Sequence, residues 1–122
     1  MAYPTSITKT ELTGAANGLG IKVAATSSPG TTIHTANAPT GVNNYDEVWL
    51  QCYNSDTVAR ELVLQWGGTT SPDNDIKVTI QPKTGLVWVV QGLILNNSLL
   101  IKAYCTTTNV LVLSGFVNRI TA

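Results

Sequence analysis

Apolar residues in this chain recur at every second position, in short runs cut by glycine, proline and asparagine, which is the period of a β-strand. The cleanest run sets Ile76, Val78 and Ile80 against Lys77, Thr79 and Gln81. Others place Val48, Leu50 and Cys52 opposite Trp49, Gln51 and Tyr53, and Ile21, Val23 and Ala25 opposite Lys22, Ala24 and Thr26. Nowhere do apolar residues recur at three- and four-residue spacing for three turns, so no helix is predicted beyond a turn near residues 8–16. Closely spaced strands joined by polar turns predict an all-β fold, an antiparallel β-sandwich or jelly roll of about eight short strands.

The punctuation divides the chain further. Residues 46–53 and 58–66, joined across Asn54-Ser55-Asp56, read as a hairpin. Pro82-Lys83-Thr84-Gly85 reads as a tight turn, and residues 86–90, apolar on both faces, read as a central strand. Two further apolar strands follow within 99–106 and 110–120, the last with Gly115 inside it as a bulge or close approach. Residues 1–18 are polar, with Gly14, Asn17 and Gly18, and are expected to form an arm or a loosely held edge before a sandwich domain over 19–122.

With 122 residues the chain is long enough for one domain with a real core. Only 11% of its residues are charged, against roughly 25% in an average soluble domain. Threonine, with 18 residues, takes much of the vacated surface, and its branched β-carbon favours extended backbone. Seven basic and seven acidic side chains cancel, leaving no long-range field for phosphate backbones or anionic lipid; neither nucleic acid nor membrane is an expected partner. A balanced charge also gives little protection against self-association. The first residues lack a basic stretch followed by an apolar one, so synthesis and folding in cytosol are expected. Cys52 and Cys105 lie within strand-like segments and are expected to be reduced and buried.

Few residues offer chemistry. His34 is the single histidine, set among threonines, and is expected on a solvated loop or edge strand. Asp73-Asn74-Asp75 lacks the glycine and the closing glutamate of a calcium loop and reads as a turn. No catalytic, cofactor or metal set is therefore assigned, and the chain is read as a non-enzyme. Trp49, Trp66 and Trp88 suit either a stacked sugar or a protein contact, and in-strand tryptophans more often serve packing and interfaces. The expected partner-binding residues are Tyr3, Pro4, Ile7 and Leu12 in the arm, with Trp49, Tyr53 and Trp88 in the strands.

Four segments carry a family resemblance: Leu64-Gln65-Trp66-Gly67-Gly68, Ile80-Gln81-Pro82-Lys83-Thr84-Gly85, Gly92-Leu93-Ile94-Leu95, and Gly115-Phe116-Val117-Asn118-Arg119-Ile120-Thr121. Through them the region from about residue 48 to 121 resembles small decoration or cement proteins of tailed-bacteriophage capsids. The resemblance implies a β-sandwich, commonly trimeric, that binds the major capsid protein at capsomer junctions on the virion surface and needs no cofactor. A glycan-binding module, or a tail or fibre component, is the alternative expectation.

Overall fold

The alternating runs become strands because each buries one face and shows the other to solvent. The computed structural model of the protein describes residues 6–122, and over these residues it is all-β. The strands are β1 (Ser6–Glu11), β2 (Ile21–Lys22), β3 (Thr31–Thr35), β4 (Tyr45–Asn54), β5 (Arg60–Trp66), β6 (Asp75–Ile80), β7 (Val87–Leu95), β8 (Leu100–Tyr104) and β9 (Leu111–Thr121). One sheet runs β1-β9-β4-β7, with β2 also on β9; the other runs β3-β8-β5-β6. The two pack face to face as an antiparallel β-sandwich, as the period-two pattern predicts.

The pairings nest. β5 pairs with β6, β4 with β7, β3 with β8 and β1 with β9, all antiparallel. One long ribbon, hinged at the β5–β6 turn, is thus rolled so that β4 meets β9 and β5 meets β8. That is the winding of a jelly roll. Between the layers Leu50, Leu62, Leu64, Ile101 and Leu113 have no exposed surface, each worth roughly 1.5–3 kcal/mol as a large aliphatic side chain, and the smaller Cys52 is buried among them.

Three expectations are corrected. β4 and β5 do not form a hairpin but lie in opposite sheets. Asn54, fully buried at the crossing, donates to the carbonyls of Val58 and Ile80 and so redirects the chain. β7 is an edge strand, not a central one, so its outward apolar side chains meet solvent. Leu12, expected at a partner surface, is 1% exposed. After β1 the chain leaves the sheet, the Gly14 N–H bonds to the Ile33 carbonyl, and Leu12 is carried between the layers.

The first strand was expected as a loose arm or edge. In the structure β1 is an edge strand paired with β9 from Ser6↔Thr121 to Glu11↔Phe116. β2 resumes the same side of β9 at Ile21↔Leu113. Together they form one interrupted edge.

Candidate interaction surface

Alternation in β4 is complete: Asp46, Val48, Leu50, Cys52 and Asn54 point inward, while Tyr45, Glu47, Trp49, Gln51 and Tyr53 point outward. Trp49 faces Phe116 of β9 in register and lies beside the β7 bulge at Gly92. Its indole stacks on Phe116 with centroids 6.2 Å apart and planes 10° from parallel. Trp88 of β7 meets Trp49 edge-on, at 5.7 Å and 76°. The Lys9 ammonium sits 4.2 Å over the Phe116 ring, a cation–π contact that extends the row to β1. The result is an aromatic row across the outer face of the sheet, in stacked and T-shaped geometries that aromatic quadrupoles favour.

Two glycines make room for it. Gly92 has φ +85°, and a Cβ there would press on the Trp49 ring at 3.3 Å. Gly115 has φ +152°, and a Cβ there would strike the Trp49 carbonyl. β4 and β9 stay in unbroken register at this point, so Gly115 is a close approach between backbones and not a bulge. Glu47 fixes the indole from the side: its Oε1 accepts from Trp49 Nε1 at 2.7 Å and from Asn118 Nδ2 at 3.1 Å.

The structure brings several of the expected partner-binding residues to this face. Trp49 and Tyr53 share the outward side of β4, Trp88 stands next to Trp49, and Ile7 lies two residues before Lys9 on β1, 67% exposed. Trp88 is 42% exposed at the edge. Ile94, also exposed, lies opposite Glu47 on the same face. β7 itself carries no charged side chain. Tyr3 and Pro4 lie outside the described residues. Trp66 packs against the core and takes no part. Phe116 was missed, although its place after Gly115 in an alternating strand signalled an outward aromatic.

His34 is fully buried, correcting the expectation of a solvated histidine. A register shift between Thr32 and His34 lets consecutive residues Ile33 and His34 both turn inward. The Thr13 N–H donates to His34 Nδ1 at 3.1 Å, so the other nitrogen carries the proton and donates to Asp46 Oδ2 at 2.6 Å. Asp46 also accepts from the Asn37 N–H at 3.1 Å and from Arg119 Nε and Nη2, both at 2.9 Å. Burial pushes the Asp46 carboxyl up, but hydrogen bonds from Arg119 and His34, with the Arg119 charge, outweigh it and hold it at about 2. The cluster joins β3 of one sheet to β4 and β9 of the other. It is an inter-sheet brace whose His34 and Asp46 side chains are fully buried while the Arg119 side chain keeps 30% of its surface open to solvent.

Cys52 and Cys105 are free thiols, both buried. Burial and the neighbouring Cys105 push Cys52 up to about 12, which makes it a poor nucleophile. In the 73–75 segment Ser71 Oγ bonds to Asp75 Oδ2, and Asn74 ties Thr70 to Trp66, as turn residues do. Among the described residues no group of three histidine, cysteine or carboxylate side chains is placed to hold a metal ion. Comparison with known proteins yields no match to a family model, to a curated protein or to a solved structure.

Proposed function

We propose that this protein is a structural subunit of a phage virion, a decoration subunit that seats on the major capsid protein across neighbouring capsomers. The observation carrying this reading is the outer face of the β1-β9-β4-β7 sheet, where Ile7, Phe116, Trp49 and Trp88 line up beside the uncharged edge strand β7. Aromatic anchors with open surface are the side chains that dominate protein contacts. The low charge supports the same reading, because a surface with few ions loses little hydration when another protein covers it. A jelly roll hosts many functions, so the fold alone does not carry the proposal. In this reading the subunit acts by contact area, associates with copies of itself as a trimer, and works on the virion surface after synthesis in the host cytoplasm.

The test is co-sedimentation with assembled shells, together with solution mass. Wild-type chain should pellet with shells and run as an oligomer. The pair Ile7→Ser and Trp88→Ser, both at exposed positions, should keep the β circular dichroism signal and lose pelleting. A wild-type monomer that ignores shells, or a double variant that pellets as well as wild type, would overturn the proposal.

A further inference from the structure

A hollow of about 240 Å³ lies at one end of the β3-β8-β5-β6 sheet, where the loop after β5 meets the turn before β8. Gly67, Gly68 and Thr69 line it from the loop, Ser98 from the turn and Lys102 from β8. Hydrogen-bond donors are in excess here. The hydroxyls of Thr69 and Ser98 and the Lys102 ammonium make no hydrogen bond or ion pair among the described residues. Neither do the N–H groups of Gly68 and Thr69. No carboxylate lines the hollow, and Lys102 is its one charge. We infer that it binds a phosphate group, carried as free phosphate or as a small phosphate monoester.

The lining selects that chemistry. A phosphate is chiefly a set of acceptor oxygens, which uncommitted hydroxyls, backbone N–H groups and an ammonium can all satisfy. Hydrogen bonds to such an ionised acceptor are stronger than neutral ones. Successive backbone N–H groups around a left-handed turn form concave anion sites, and Gly67 has φ +76°. A cationic ligand would meet the Lys102 charge, and a carboxylate has only two oxygens to share among these donors. The volume is below the roughly 300–1,000 Å³ of sites that enclose a whole ligand, so it suits a single small group. Zero net charge argues against long polyanions, which need an extended field, and does not bear on one group held by direct contact.

The loop is also fixed before any ligand arrives. The Gly67 N–H donates to the Leu100 carbonyl at 2.9 Å, tying the loop to β8. On the other side Asn74 accepts from the Thr70 N–H and donates to the Trp66 carbonyl. Fixing a site beforehand lowers the entropy lost on binding. Asp75, the acidic residue of β6, is bonded by Ser71, and Gln65 stands between it and Lys102 in register. The hollow belongs to the sheet opposite the aromatic row and does not depend on the virion reading.

The test is chemical-shift mapping of the full chain in phosphate-free buffer, titrated with inorganic phosphate, glycerol phosphate, acetate and sodium chloride at matched ionic strength. Inorganic phosphate, glycerol phosphate or both should shift the amides of Gly68 and Thr69 saturably at millimolar concentration, and acetate and chloride should not. Saturation by phosphate alone assigns the free anion, and saturation by the ester assigns the phosphoryl group of a larger molecule. Lys102→Gln should weaken binding by roughly tenfold or more, one decade in the dissociation constant. Thr69→Val, at an exposed position, should weaken it with the spectrum otherwise intact, while Lys22→Gln on the other sheet should leave it unchanged. The inference fails if neither phosphate species gives saturable shifts at millimolar concentration, if acetate or chloride gives the same shifts, or if Lys102→Gln and Thr69→Val bind as wild type does.

Discussion

Arg119 grips Asp46 through both Nε and Nη2, each 2.9 Å from a carboxylate oxygen, while His34 takes the same carboxylate from the opposing sheet. A bidentate guanidinium holds geometry as well as charge. The brace therefore ties the two layers together through one carboxylate, and that tie is sensitive to acid.

The sign of its pH dependence follows from Asp46. Its folded value of about 2 lies below the unfolded one, roughly 3.9. The stabilisation is complete above the unfolded value and is lost as the pH falls through about 2. It amounts to about 2 kcal/mol at neutral pH. Urea unfolding followed from about pH 5 downward should show this loss. Asp46→Asn should remove that part of the pH slope and cost about 3 kcal/mol at pH 7, because His34 and Arg119 lose their shared anion inside the protein.

The buried thiols should be silent in the native state. Cys52, pushed up to about 12, presents almost no thiolate at neutral pH, and Cys105 is buried beside it. Ellman's reagent should report essentially no reaction in native buffer and two thiols per chain in denaturant. Rapid labelling of the folded protein would contradict the burial described above.

The two tryptophans of the outer row should separate stability from binding. Trp49 is stacked, edge-packed and hydrogen-bonded to Glu47. Trp49→Ala should lower stability by about 3 kcal/mol, measured by chemical denaturation. Trp88→Ala removes a half-open ring at the sheet edge and should cost about 1 kcal/mol or less. Its effect should appear instead in association with shells or with other copies.

Gly115→Ala should be among the most damaging single changes. The added methyl would collide with the Trp49 carbonyl, and only separation of the β4 and β9 backbones could relieve it. A loss of about 3 kcal/mol or more is expected, visible as a fall in melting temperature or in soluble yield. Gly18→Ala is the control: a Cβ there meets nothing within 4 Å, though φ +75° imposes some strain, so its loss should be much smaller.

The strands with strong period-two patterning, β4, β5, β6 and β9, were legible because apolar residues alternate through the middle of each, although polar residues such as Asp46 and Arg119 share the inward faces of β4 and β9. β7 was legible only in two pieces, since Gln91 and Gly92 interrupt it at the bulge. Its edge position was hidden because apolar residues on both faces normally mean burial on both. β1 was not legible as a strand: Ser6–Glu11 is almost wholly polar, and only its pairing with β9 makes it extended. The brace escaped for a similar reason. His34, Asp46 and Arg119 are far apart in sequence, and each looks ordinary among its neighbours. On the outer face, Trp49, Tyr53 and Trp88 were identified by residue type and strand parity, whereas the hollow beside Lys102 arises from two loops whose meeting only the folded chain reveals.

The nested pairing also dictates when this molecule can be complete. The β5–β6 ribbon needs only neighbouring residues, but the outermost rung joins Ser6 to Thr121 and cannot exist until nearly the whole chain has been made. β9, the last of the nine described strands in chain order, pairs with β1, β2 and β4, so half the sandwich waits with unpaired edges until it is made. Folding of this kind is dominated by long-range closure and is slow. During that wait the nascent polypeptide is most vulnerable to pairing with the wrong neighbour.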